Sequence, residues 1–176
     1  MSFHFAKLQQ AVAFAARAHQ GQLRKDGRTP YASHPFRVCL VAAQVFGVHD
    51  PEILAAAVLH DTIEDTTTDY DDIVAAFGRN VAEWVRLLSK DKRLPEAERE
   101  EEYMRGLVSA GWQVQVLKLA DIYDNLSDLD QLPAERRPQS LTRMRFYLDG
   151  MQTALKPEAQ AAFTIVLSEL RRGENE

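Results

Sequence analysis

Leu59-His60-Asp61-Thr62-Ile63-Glu64-Asp65-Thr66 is where a run of apolar residues gives way to a cluster of ionisable ones. Asp50-Pro51 can open a helix, and Leu54, Ala57 and Val58 share its inward face, so His60 and Asp61 fall at its C-terminal end. In helical register Glu64 stands four residues after His60, and Asp65 four after Asp61. Each carboxylate is thereby aligned with a potential ligand one turn earlier.

Outward from that stretch, apolar residues recur at three and four positions, which predicts helices almost throughout. Phe5, Leu8, Val12 and Ala15 make a first stripe that stops near Gly21, ahead of a loop marked by Asp26-Gly27 and Thr29-Pro30. Ser33 is expected to cap a second helix, with Pro35 in its first turn, Phe36, Leu40 and Ala43 on one face and an end at Gly47. Two short core-forming helices split at Gly78 follow the Thr66-Thr67-Thr68 loop, and Glu96 to Arg105 reads as a solvated helical face. After Gly111, a helix with Val114, Leu117, Leu119 and Ala120 puts Asp121 and Asn125 on one face, ending by Leu132-Pro133. A long helix through Leu141, Met144, Leu148 and Met151 and a last one through Phe163, Val166 and Leu170 complete the chain.

With 176 residues, 45% hydrophobic and 27% charged, the expectation is one all-α domain over 1–176 with a sizeable core. No apolar run nears the roughly 20 residues that span a bilayer, and Lys7 interrupts the first apolar residues, so a cytoplasmic protein without a membrane partner is expected. Cys39, among Val38, Leu40 and Val41, reads as a buried inert thiol. A net charge of −5 argues against a nucleic-acid surface. The charge is nevertheless patchy: Arg17, Arg24, Lys25, Arg28 and Arg37 form one basic group and Arg136, Arg137, Arg143 and Arg145 another. Between them lies the acidic stretch from Asp61 to Asp72, a pattern that suits a bound cation and an anionic ligand.

Two imidazoles and two carboxylates, His34, His60, Asp61 and Asp121, would give a divalent cation such as Mn²⁺ a mixed nitrogen and oxygen shell. Such a cation lowers the pKa of a bound water and polarises a phosphoryl oxygen. Taken singly, each histidine has a plainer reading: His34 as a helix-start residue bonded to backbone, His4 and His49 as exposed, and His19 as structural or pocket-lining.

The segments His19 to Gly27, Pro30 to Pro35, Leu59 to Thr66, Phe77-Gly78 and Lys118-Leu119-Ala120-Asp121 with Asn125 resemble the HD-domain hydrolases of the RelA/SpoT type. The likeness is greatest to the small stand-alone alarmone hydrolases typified by the metazoan SpoT homologues. It implies an all-helical HD fold that binds Mn²⁺ and removes the 3′-pyrophosphate of guanosine tetra- or pentaphosphate. It further implies that His34, His60, Asp61 and Asp121 hold the metal and that Glu64 and Asp65 orient or activate water. Asn125, Arg24, Lys25, Arg143 and Tyr147 become the substrate contacts. On residue type alone, Arg24-Lys25 has a plainer reading as a solvated pair, which its place beside the acidic stretch makes the lesser one, and Arg143, Arg145 and Tyr147 have one as cover for apolar surface.

The chain departs from the family pattern at Ile122, Asp124 and Glu96, where relatives carry a basic residue, a His or Tyr, and a phosphate-contacting Lys. These departures spare the metal set and bear on the substrate. The alternatives are a phosphatase for NADPH or another phosphorylated nucleotide, and a catalytically inactive nucleotide sensor.

Overall fold

The computed structural model describes residues 3–175, and the side chain of His4 lies outside the described residues. The helices are α1 (Phe3–Ala18), α2 (Ser33–Leu40), α3 (Pro51–Leu59), α4 (Thr62–Asp65), α5 (Tyr70–Phe77), α6 (Arg79–Leu88), α7 (Glu96–Ser109), α8 (Trp112–Ser127), α9 (Arg137–Gln152) and α10 (Gln160–Asn175). A π-helical turn, Val41–Val45, extends α2, and the described residues contain no strand beyond an isolated Leu23–Pro30 bridge. The expected all-α architecture is therefore the observed one.

Helix α3 lies at the centre because every residue from Ile53 to Leu59 is apolar, and all seven are buried. A helix without a polar face must be covered on all sides. Here α1, α2, α6 and α8 do the covering. Asp50 starts it as anticipated: its Oδ1 accepts the backbone N–H groups of Glu52 and Ile53, and Pro51 needs no donor there. Helix α8 is the second central rod, packed against α2, α6 and α10. Buried Gln115 clasps it to its surroundings by donating to the Ala154 carbonyl at 3.2 Å and accepting the Lys156 N–H at 2.9 Å.

The chain does not run straight through His60-Asp61. Asp61 adopts φ −98° and ψ −3°, which separates α3 from the four-residue α4. Thr62 Oγ1 satisfies the Leu59 carbonyl at 2.7 Å, and Asp65 N–H still reaches the Asp61 carbonyl at 2.9 Å. The relation of Asp65 to Asp61 thus survives the break. Gly78 divides α5 from α6 at φ +90°, a backbone conformation that a side chain would strain.

Three local expectations are corrected. Ala32, not Ser33, occupies the N-cap of α2, and the buried Ser33 Oγ has no hydrogen-bond partner. The inward face of α2 carries His34, Pro35, Val38 and Cys39, while Leu40 is 59% exposed. Both stripes have helical spacing, and the one carrying His34 faces α3 and α8. In α1 the buried positions are Ala11 and Ala15, with Leu8 and Phe14 packed beside them, whereas Phe5 is 53% exposed.

These placements set the cost of substitution. Leu59→Ala, at a fully buried position, is expected to lower unfolding free energy by about 2–5 kcal/mol. Leu40→Ala, at an exposed one, should change it by no more than about 0.5 kcal/mol, and urea denaturation of both variants checks the pair.

Candidate metal centre and active site

His34, His60 and Asp121 are delivered by α2, the end of α3 and α8, and one ligand atom from each lies within 4.8 Å of the others. His34 Nε2 is 3.2 Å from Asp121 Oδ1 and 3.5 Å from Asp61 Oδ2, and His60 Nε2 is 3.1 Å from the same Asp61 oxygen. The cluster of three excludes Asp61, which nevertheless touches both imidazoles. His60 Nδ1 donates to the Ala57 carbonyl at 2.8 Å, leaving Nε2 buried without a hydrogen bond of acceptable geometry. An orphaned buried imidazole nitrogen facing two carboxylates and a second imidazole fits a divalent cation.

Each of these groups has a further partner. His34 Nδ1 bonds Asp124 Oδ2 at 2.7 Å. Tyr31 donates its hydroxyl to Asp61 Oδ2 at 2.6 Å and reaches Asp65 Oδ2 at 3.3 Å. Asp121 accepts Lys118 Nζ at 2.8 Å on one oxygen and the Asn125 amide at 2.6 Å on the other. Glu64 Oε2 accepts the Lys90 backbone N–H at 2.8 Å, and Asp65 pairs with Lys92.

Burial and neighbouring charge oppose one another throughout. Burial disfavours the His34 imidazolium, but hydrogen bonds to Asp121 and Asp124 outweigh it and lift its pKa to about 9. His60 is likewise raised against burial, by Asp61. The carboxyls of Asp61 and Asp121 are resisted by burial yet held well below the usual range by His60 and Lys118 respectively. Glu64 moves the other way: burial raises it, and the Lys90 N–H only partly offsets that.

A cavity of about 280 Å³ opens over the cluster. His34, His60, Asp61, Asp121, Glu64, Asp65, Arg24, Lys25, Asn125, Arg143 and Tyr147 all line it, so the residues expected to hold metal, handle water and contact substrate share one cavity. Their engagements differ. Arg24 is nearly buried, and its Nη2 donates to Asp128 Oδ2 at 2.7 Å. The Asn125 amide nitrogen serves Asp121, and buried Tyr147 gives its hydroxyl to Glu100 while accepting from Lys90. Arg143 is exposed, and neither it nor Lys25 forms an ion pair among the described residues. Burial, then the charges of Arg24 and Arg143, depress the Lys25 ammonium.

A sequence model of the HD domain matches residues 11–146, most of the chain. The chain belongs to the HD-domain family. It is 39% identical over 152 residues to the Danio rerio protein named guanosine-3′,5′-bis(diphosphate) 3′-pyrophosphohydrolase MESH1, covering 86% of this chain and 83% of that one. It is 39% identical over 137 residues to the bifunctional (p)ppGpp synthase/hydrolase SpoT of Escherichia coli K12, of which the match spans 19%. Among solved structures, the metazoan ortholog of SpoT described as hydrolysing ppGpp superposes with a TM-score of 0.84 at 30% identity, over 96% of each chain.

Within this HD-domain chain, two departures change meaning. Asp124, taken as a change on the substrate side, is outside the cavity wall and supports His34 instead. Glu96 begins α7 on the exposed surface, away from the cavity. Sequence reasoning missed Tyr31, Lys90, Lys118 and Asp124 as parts of the site, although Tyr31 and Lys118 lie inside the quoted motifs. His19 is buried beside Tyr31 with its Nδ1 on Gln22, and does not line the cavity. Arg145, on α9, is tied to Glu174 of α10 and does not line the cavity.

The raised imidazole pKa values carry a sign. Below about pH 9 the cation-free His34 holds a proton that a metal must displace, so binding releases protons and strengthens with pH. Calorimetric titration with a divalent cation in buffers of different ionisation enthalpy should show affinity climbing from about pH 6 to about 9. A flat profile would contradict this account of the cluster.

Proposed function

We propose that this chain is a Mn²⁺-dependent 3′-pyrophosphohydrolase of guanosine 3′,5′-bis(diphosphate) and the corresponding pentaphosphate, acting in the cytoplasm on a free nucleotide. The observation that carries the reading is the meeting, in one cavity, of the His34, His60, Asp61 and Asp121 cluster with Glu64, Lys25 and Arg143. The match to relatives named as alarmone hydrolases over most of their length supports it. Two nitrogens and two carboxylates suit Mn²⁺ among divalent cations. When bound there, the cation supplies Lewis acidity toward a phosphoryl oxygen and lowers the pKa of water.

In the overall reaction, water adds to the phosphorus joined to the ribose O3′ and the P–O3′ bond breaks. Pyrophosphate leaves carrying the added oxygen, and O3′ takes up a proton to give guanosine diphosphate. Glu64 is suited to moving that proton, since burial raises its carboxyl and the Lys90 N–H fixes Oε2 while Oε1 has no donor among the described residues. Asp65 has Lys92 on one oxygen and Tyr31 on the other, which makes it an orienting group. Lys25 and Arg143 repel one another across the wall. A polyphosphate placed between them relieves that repulsion.

Purified protein with Mn²⁺ should convert guanosine tetraphosphate to equal amounts of guanosine diphosphate and pyrophosphate. Efficient release of phosphate from NADPH with guanosine tetraphosphate left intact would replace the alarmone by another nucleotide. Nucleotide binding without turnover of either would make the chain a sensor. Glu64→Gln should keep the cation and lower kcat by a factor on the order of 10²–10⁴, and concurrent loss of the cation would make Glu64 a ligand.

A further inference from the structure

Asp124 is 2% exposed and lies on α8 behind His34, and it is the hub of a continuous set of charged hydrogen bonds. Its Oδ2 meets His34 Nδ1 at 2.7 Å, its Oδ1 accepts Arg37 Nε at 2.6 Å, and its main-chain carbonyl accepts Arg37 Nη2 at 3.3 Å. Arg37 Nη2 also donates to Asp128 Oδ1 at 2.7 Å, and Asp128 Oδ2 accepts Arg24 Nη2 at 2.7 Å. Arg24 Nη2 lies 3.8 Å from Asp124 Oδ2, closing the circuit.

The placement follows from helical spacing. Asp124 lies on α8 and Asp128 one turn later at its C-cap, and Arg37 is one turn after His34 on α2, so two adjoining helices present matched pairs. Two carboxylates face two guanidiniums, so the group is electrically closed without drawing on His34. A buried carboxylate is tolerable only with such partners. The fork of Arg37 suits this work, since it reaches both carboxylates from one rigid plane.

We infer that Asp124 is a positioning residue for the cation and that Arg37, Asp128 and Arg24 form a brace acting through it. Asp124 fixes the His34 ring so that Nε2 faces Asp121 and Asp61. An imidazole whose far nitrogen is held by a carboxylate presents a defined tautomer and a more basic ligand atom to a metal. Arg37 holds Asp124 against rotation. Arg24, which lines the cavity, is the outer end of the brace, and its role lies in the wall and the metal site before any contact with phosphate. The inference rests on the cation dependence proposed above and does not depend on which nucleotide is cleaved.

The test reads cation affinity directly, by electron paramagnetic resonance of free Mn²⁺ during titration of the purified full chain. Asp124→Asn and Arg37→Gln are each expected to weaken Mn²⁺ binding by roughly 10–100-fold, the usual effect of losing such a support. The double variant should bind no more weakly than Asp124→Asn alone, because Arg37 acts through Asp124. Arg24→Gln should weaken binding by a smaller factor, since Arg37 still holds Asp128. A merely structural role would instead lower the thermal midpoint and leave Mn²⁺ affinity alone.

Arg37 is partly exposed, so its variant is a fair second probe should Asp124→Asn fail to fold. Wild-type protein gives an independent reading: with ¹⁵N-labelled histidine and Zn²⁺, His34 should show a protonated Nδ1 and a metal-bound Nε2. Coordination through Nδ1 would overturn the inference. So would Mn²⁺ affinities of the single variants within about twofold of wild type, the ordinary additivity error, or losses that simply multiply in the double variant. If wild-type protein bound no divalent cation, the metal reading would fall and the brace with it. Intact wild-type binding with unaffected variants would sink the brace alone.

Discussion

Asp61 and Asp121 share a small, largely enclosed volume, and two carboxylates brought together away from bulk water repel strongly unless positive charge meets them. Much of the architecture answers that requirement. The wholly apolar α3 must be covered on every side, and covering it draws α2 and α8 in to deliver His34 and Asp121 beside His60. Lys118, one turn before Asp121 and buried, keeps its charge because Asp121 is there, with the faces of Tyr103 and Tyr147 against its ammonium. The Tyr31 hydroxyl donates to Asp61 Oδ2, the same oxygen that faces both imidazoles. The acids stay ionised, the imidazoles are drawn toward protonation, and the cluster is prepared to exchange protons for a cation.

The cations lining or bordering the cavity are divided between those that hold its carboxylates and those that line it unpaired among the described residues. Arg24, Lys118, Lys92 and Lys90 each engage a carboxylate. Lys25 and Arg143 are the cavity-lining basic groups without such a partner among the described residues. The pairings of Lys118 and Asp121, or Arg24 and Asp128, cost desolvation that only good geometry offsets, and they gain in placement what they add little to in stability. An arginine in a cavity wall is therefore read by its partners, and Arg24 is already engaged by Asp128.

Much of this was legible in the sequence because the information is local. His60, Asp61, Glu64 and Asp65 lie within six residues, and Asp121 with Asn125 within five, so helical spacing aligns them without knowledge of the fold. The interior position of α3 was written in its unbroken apolar run. The facing of α1 and α2 was not, since two stripes of helical period compete in each, and the winner depends on what packs opposite. Asp124 was misjudged for a related reason. Its partners, His34 and Arg37, are ninety and eighty-seven positions away, and only the contact of α2 with α8 joins them. Tyr31 and Lys90 act on Asp61 and Glu64 across shorter gaps, of thirty and twenty-six positions, that still exceed any helical repeat.

The hold on Glu64 is made by a peptide group, whereas Asp61, Asp121 and His34 are all held by side chains. A main-chain donor survives any substitution at position 90 except proline. The orientation of the Glu64 carboxylate is therefore insulated from changes in the neighbouring side chain. The Lys90 side chain, with its hold on Glu100 and Tyr147, can drift toward a new ligand preference while the chemistry it borders stays in register.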